Sequence, residues 1–269
     1  MIGNGARTRF TALLDQGKVP LGMFVACEDP AFTEILGRSG YDFAILDAEH
    51  SHMGPADLLG HVRAADVSGL VPVVRVWENS RPLIQKFLDI GAEGIVVPHV
   101  DTAEQAAAAV AATRFPPHGE RSICPTNHAS GYSIAYWDAY REHSLENVLV
   151  IPIIESATAL ENLESILAVD GIDYVFFGPG DYSLSIGVAM DAPEVGLAWE
   201  RARALARAAG KRVMTTDNVP GLSAGQAGAI VHGMDLMHVS EWAVGAVAAL
   251  RARYDNPAGV DRLVPVGGQ

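Results

Sequence analysis

The stretch VPVVRVWENSRPLIQKFLDIGAEGIVVPHV, residues 71–100, holds one complete unit of the fold. It opens on a continuous apolar run, VPVVRV (71–76), passes through RPLIQKFLDIG (81–91) and closes on a second run, GIVVPHV (94–100). Continuous rather than alternating apolarity predicts strands covered on both faces, the mark of a parallel sheet. The segment between them reads as a helix that stops at a glycine. The same unit recurs on both sides. Upstream lie LGMFVA (21–26) and FAILDA (43–48), with AFTEILGRSG (31–40) and PADLLGHVRAADVSG (55–69) as helices. Downstream lie VLVIPIIES (148–156), YVFFGPGD (174–181), RVMTT (212–216) and DLMHVS (235–240), with AEQAAAAVAATRF (103–115) and VGLAWERARALARAAG (195–210) as helices. Eight strand–helix alternations in about 250 residues predict a single-domain (β/α)8 TIM barrel, in preference to a doubly wound sheet. One long, Pro-, Gly- and aromatic-rich insertion, 116–147, breaks the spacing and is expected to be a functional or interface loop.

Composition narrows the partners. Of 269 residues, 49% are hydrophobic and 19% charged, which excludes intrinsic disorder. Lys plus Arg number 19 against 32 Asp plus Glu, a net charge of −13, so neither nucleic acid nor an anionic membrane is an expected partner. The opening residues lack a secretory apolar core, and no apolar run is long enough to span a bilayer. Cys27 and Cys124 make no CxxC pair, which fits a reducing compartment, so a soluble cytoplasmic protein is expected.

In a barrel of this kind, chemistry sits at the C-terminal ends of the strands. Those ends carry Asp47, Glu49 and His50 on the second run, Arg75 on the third, and His99 and Asp101 on the fourth. Glu155, Asp181, Asp217, and then His238, Ser240 and Glu241 end the remaining runs. Glu155 and Asp181 emerge from adjacent strands, and two converging ionised carboxylates need a cation. All-oxygen ligation with positions left open suits Mg²⁺ or Mn²⁺. The alternative is a carboxylate pair neutralised by a loop arginine. Gly178, Pro179 and Gly180 bring backbone amides close enough to hold a substrate carboxylate.

Arg75 ends a buried strand, where a charge must meet an anion: a keto-acid oxygen in the functional reading, Asp47 or Glu49 in the structural one. His50 is a general base if a carboxylate orients it, and Asp89, placed unfavourably against its helix dipole, is the candidate. Otherwise His50 is a structural rim histidine. None of the three lysines, Lys18, Lys86 and Lys211, ends a strand, so Schiff-base chemistry is not indicated. No GxSxG directly follows a strand run, GLSAG (221–225) standing five residues beyond RVMTT, and no GxGxxG stands at a strand end, so neither a serine nucleophile nor a dinucleotide is indicated.

The motifs DAEH (47–50), the VVRV arginine, LDIGAEGIVVPHVDTAEQA (88–106), RFPPHGERS (114–122), IIES (153–156) and GPGDYSLSIG (178–187) occur in this order. Together they resemble the HpcH/HpaI aldolase family, metal-dependent class II pyruvate aldolases, over about residues 20–250. The resemblance implies a barrel in which Glu155 and Asp181 hold Mg²⁺, Mn²⁺ or Co²⁺. It also implies His50 as base with Asp89 orienting it, Arg75 on the keto oxygen, and Asp47 as a further site residue. The implied reaction is reversible cleavage of a 4-hydroxy-2-oxo acid to pyruvate and an aldehyde, in a homo-oligomer, a hexamer by family resemblance. Ile153 stands where the family often has a substrate-touching glutamine, and SICPTNHASGYS (122–133) and HVSEW (238–242) also differ. Tolerance of a bulkier keto acid is expected from Ile153. Two other readings are a malyl- or citramalyl-CoA type lyase, for which Arg114, Arg121 and Arg141 offer the only phosphate contacts, and a non-catalytic small-acid-binding barrel.

Overall fold

The computed structural model describes residues 5–255. Strands β1 (Leu21–Val25), β2 (Phe43–Asp47), β3 (Val71–Arg75), β4 (Gly94–Val97), β5 (Leu149–Ile154), β6 (Tyr174–Phe177), β7 (Arg212–Thr216) and β8 (Ala229–Met234) pair in parallel in chain order. β8 hydrogen-bonds back to β1 and closes the barrel, as expected of a (β/α)8 fold. Helix α1 (Ala6–Asp15) precedes β1. In the connections lie α2 (Ala31–Ser39), α3 (Pro55–Ser68), α4 (Arg81–Asp89), α5 (Ala103–Thr113), α6 (Trp137–Asn147), α7 (Ala157–Glu161), α8 (Leu163–Leu167), α9 (Pro179–Ser185) and α10 (Pro193–Ala208). Helix α11 (Asp235–Tyr254) follows β8.

Strand residues alternate between two apolar layers. Phe43 and Ile45 of β2, Val71 and Val73 of β3, and Ile151 and Ile153 of β5 fill the barrel interior. Phe10 of α1 stops its base, with its ring 5.0 Å from Phe43 and 5.8 Å from Tyr174. The intervening residues, among them Leu46, Val74, Val97, Ile154 and Phe177, pack outward against helix residues such as Leu58, Phe87, Ala109 and Trp199. This alternation builds the site. Continued by two residues past Ile45, Val73 and Ile153, the inward parity brings Asp47, Arg75 and Glu155 to the mouth of the barrel.

Two expectations need correction. DLMHVS (235–240) is not the eighth strand: β8 is AIVHGM (229–234), and DLMHVS opens α11. So short an apolar stretch has no periodicity of its own, and this one belongs to a helix that leaves its apolar side exposed. His238, Ser240 and Glu241 therefore lie on α11 and not at a strand end. Asp235, fully buried, accepts hydrogen bonds from the N–H groups of Ala26 and Cys27 and ties the start of α11 to the end of β1. Segment 116–147, read as a loop, ends in a 3₁₀ turn (Ile134–Tyr136) and α6. Phe115 packs on Trp137 at 4.9 Å and on Tyr140 at 6.2 Å, so the insertion has its own aromatic anchor.

Candidate active site

The barrel mouth between β2 and β5 holds a connected set of charges. Arg75 Nε donates to Asp47 Oδ1 at 2.9 Å and Nη2 to Oδ2 at 2.7 Å, a bidentate pair with both partners buried. The two strands carry them in register, Asp47 opposite Arg75, and the guanidinium lies 4.5 Å over the Phe24 ring. Asp47 Oδ1 also accepts from the N–H groups of Glu49 (3.1 Å) and His50 (3.3 Å), so it shapes the turn that presents both. Glu49 Oε2 lies 3.4 Å from Arg75 Nε and 3.6 Å from His50 Nε2. Asp47 is thus the structural anion for Arg75.

Glu155 is 8% exposed. Its Oε1 accepts the His99 N–H at 2.6 Å and lies 3.0 Å from His99 Nδ1, whose Nε2 stands 3.7 Å from Glu49 Oε1. Burial raises the Glu155 carboxyl above the usual carboxylate range; the His99 N–H and ring oppose this, and the charges of Asp181 and Glu49 add to it. Asp181 lies beyond β6 in the first turn of α9 and is exposed. Gly178 keeps the wall beside Glu155 thin, since a Cβ there would stand 3.3 Å from the Glu155 Cβ and 3.2 Å from Ile153 Cγ2. Ile153 itself is buried in the interior layer beneath Glu155. Gly180 has open space around it.

The donor set fits a divalent cation taken by few protein ligands. It is all oxygen, desolvated on the Glu155 side and open on the Asp181 side, with excess negative charge from Glu49. Among the described residues no group of three or more His, Cys, Asp or Glu side chains could hold a metal by itself. A cation there would leave positions for substrate and water.

The expected contact between Asp89 and His50 does not form within the chain. Asp89 ends α4 and leads to the N-terminal end of β4, whereas His50 follows the C-terminal end of β2. Asp89 Oδ1 instead accepts from Arg121 Nη2 at 2.7 Å, which answers its unfavourable place on the helix dipole. Arg121 is buried, stacked 4.6 Å from the Phe115 ring, and Arg114 caps the carbonyls of Ser144 and Val148. Both arginines are spent inside the fold, which removes two of the three phosphate contacts a CoA-ester reading required. Glu49, expected only as an alternative anion for Arg75, also reaches His50 and His99, and His99 was visible as a strand-end residue but had no assigned role. Parity favoured the neighbours of His99, and the backbone turn that swings it toward Glu155 has no sequence signature.

Residues 20–241 match the family described as HpcH/HpaI aldolase/citrate lyase. The chain is similar to 2-keto-3-deoxy-L-rhamnonate aldolase of Escherichia coli K12, 36% identical over 257 residues that cover 92% of this chain and 95% of that protein. Among solved structures it resembles an HpcH/HpaI aldolase/citrate lyase family protein from Burkholderia cenocepacia J2315. That TM-score is 0.83 at 27% identity, over 91% of this chain and all of the other. Macrophomate synthase superposes with a TM-score of 0.84 at 27% identity, over 95% of this chain and 92% of that one. With the mouth built from Asp47, Arg75, Glu155 and Asp181 on a closed parallel barrel, this chain is a carbon–carbon lyase that belongs to the HpcH/HpaI aldolase/citrate lyase family.

Proposed function

We propose that the enzyme cleaves 4-hydroxy-2-oxo acids of the 2-keto-3-deoxy sugar-acid type, reversibly, to pyruvate and an aldehyde. The observation that carries this reading is the buried Glu155 facing exposed Asp181 across the β5–β6 edge, one strand from the His99 turn and two from Arg75. Glu155 and Asp181 would hold a divalent cation, Mg²⁺, Mn²⁺ or Co²⁺. When bound, it supplies Lewis acidity that stabilises a pyruvate enolate.

Arg75 is locked by Asp47 through Nε and Nη2, while Nη1 has no hydrogen-bond partner among the described residues. That nitrogen is the donor for the substrate's 2-oxo oxygen, prepaid in orientation by the bidentate pair. His50 takes the 4-hydroxyl proton in cleavage and returns it in addition. Its ring is largely exposed and has Glu49 as the nearest carboxylate. Asp89 can orient a His50 only across a contact between two copies, because within one chain a full strand length, about 16 Å for five residues, separates their ends of the barrel. Ile153 presents an apolar floor that tolerates a substituted keto acid, and Gly180 leaves the approach to Asp181 open.

A homo-oligomer is part of this proposal. Helix α11 carries Leu236, Val239, Ala243, Val247, Leu250 and Tyr254 at helical spacing, and all but Ala243 are exposed, as is Trp242. Such a stripe on a charged-poor helix calls for an apolar partner surface, and a second barrel offers one. Cytoplasmic residence is supported by two unpaired cysteines, Cys27 and Cys124. No helix among the described residues is long and apolar enough to cross a membrane.

The test is pyruvate release from a panel of 4-hydroxy-2-oxo acids that includes 2-keto-3-deoxy-L-rhamnonate. Cleavage of the deoxy sugar acids is expected, and a panel without any pyruvate-releasing member contradicts the proposal. His50→Ala should lower kcat far more than it raises KM for the keto acid. An unchanged kcat would leave His50 as a structural rim residue.

A further inference from the structure

His99 is one of two non-glycine residues with positive φ among the described residues, at 56°. A backbone in that region persists only where the surroundings hold it. Apolar burial does not, since the His99 side chain is 74% exposed. What holds it is a pair of carboxylates. The main-chain N–H donates to Glu155 Oε1 at 2.6 Å, Nδ1 stands 3.0 Å from that same oxygen, and Nε2 stands 3.7 Å from Glu49 Oε1. Both near contacts fall on Oε1. Oε2 lies on the Gly178 side, where even a Cβ would stand 3.7 Å away.

We propose that His99 is a positioning residue for Glu155: its main-chain N–H and imidazole close on Oε1, so that Oε2 is presented to a divalent cation shared with Asp181. The inference rests on the cation site proposed above and adds a residue that neither binds the cation nor touches the substrate. A carboxylate already fixed through one oxygen loses less rotational freedom when the other is engaged. Outer partners of metal-binding carboxylates typically change metal affinity by about 10–100-fold.

The experiment is equilibrium Mn²⁺ binding to the metal-stripped full chain, read from the electron paramagnetic resonance signal of free Mn²⁺, which requires no turnover. Glu155→Gln, His99→Gly and His99→Asn are compared with the wild type. Glycine adopts positive φ freely and keeps the main-chain N–H but removes the ring. Asparagine tolerates the left-handed region and keeps a short side-chain donor. Since the ring is exposed, both variants should fold, and circular dichroism verifies this. Glu155→Gln should abolish binding, His99→Gly should weaken it about tenfold, and His99→Asn should recover most of the loss. Wild-type affinity in His99→Gly, or equal weakness in His99→Gly and His99→Asn, overturns the proposal for His99 alone. Wild-type affinity in Glu155→Gln overturns the cation site and the proposal with it.

Discussion

The outward faces of β2 to β7 and of β8 differ in what covers them. Leu46, Val74, Val97, Ile154, Phe177 and Val213 are all buried under the helices that follow their strands. On β8, Ile230 is only partly buried and His232 is exposed, while α11, which should lie over them, runs off with its own apolar stripe uncovered. Asp235 is the only buried residue of that helix. The first arc is finished by the chain itself, and its mouth carries the closed network Asp47, Arg75, Glu49, His99 and Glu155. The second arc ends in a helix whose apolar side the described residues leave uncovered. The proposed chemistry is thus gathered on the first arc, and the proposed contact between copies on the second.

The strongest way to break that division is at the first arc. Glu155→Gln should lower turnover by at least about 10²–10³-fold, the scale of losing one electrophilic stabiliser, with the fold kept by circular dichroism. Activity within a few-fold of wild type would move the chemistry elsewhere. Arg75→Met leaves Asp47 as a buried, unpaired charge and should cost about 3–5 kcal/mol of stability by chemical denaturation. A loss below about 1 kcal/mol, the scale of an exposed pair, would mean that Asp47 and Arg75 do not hold this mouth together.

The second arc should respond in the opposite way. Trp242→Asp, at a side chain that touches little in its own chain, should reduce the assembly mass measured by light scattering and leave the barrel's spectrum unchanged. If the wild type is already monomeric and fully active, α11 is not an interface and the contrast between the arcs fails.

The smallest effect lies at the base, away from both arcs. Burial raises the Glu93 carboxyl to about 7 from an ordinary 4.5, with Arg9 opposing and Asp66 adding to the shift. The folded chain therefore binds more protons than the unfolded chain between pH 4.5 and about 7, so stability falls as pH rises through that window and stays lower above it. Glu93→Gln should raise Tm at pH 8, by about 2–4 °C per kcal/mol relieved, and the gain should vanish toward pH 4.5. A gain that does not change with pH would show that ionisation of Glu93 is not what strains the base.

Strand parity made most of the site legible. Once VVRV and VIPII are read as strands with alternating faces, Arg75 and Glu155 must come to the mouth, and the βα order makes them near neighbours. The pairing of His50 with Asp89, read from that carboxylate's unfavourable place on its helix dipole and from the resemblance, does not form within one chain by that same order, since a residue ending the helix before β4 lies at the base of its own barrel. The DLMHVS segment misled because a short apolar stretch reads alike in a buried strand and in a helix whose apolar side is uncovered. The role of His99 was invisible because it depends on one dihedral angle, 56°, that Pro98–His99–Val100 does not announce.

The central claim, a metal-dependent aldolase at the Glu155–Asp181 edge, is tested most directly by pyruvate release from 2-keto-3-deoxy-L-rhamnonate before and after exhaustive EDTA treatment and Mn²⁺ addition. The account predicts that stripping abolishes release and that Mn²⁺ restores it. Full activity in the stripped enzyme, or substrate trapped on a lysine by borohydride, would contradict it.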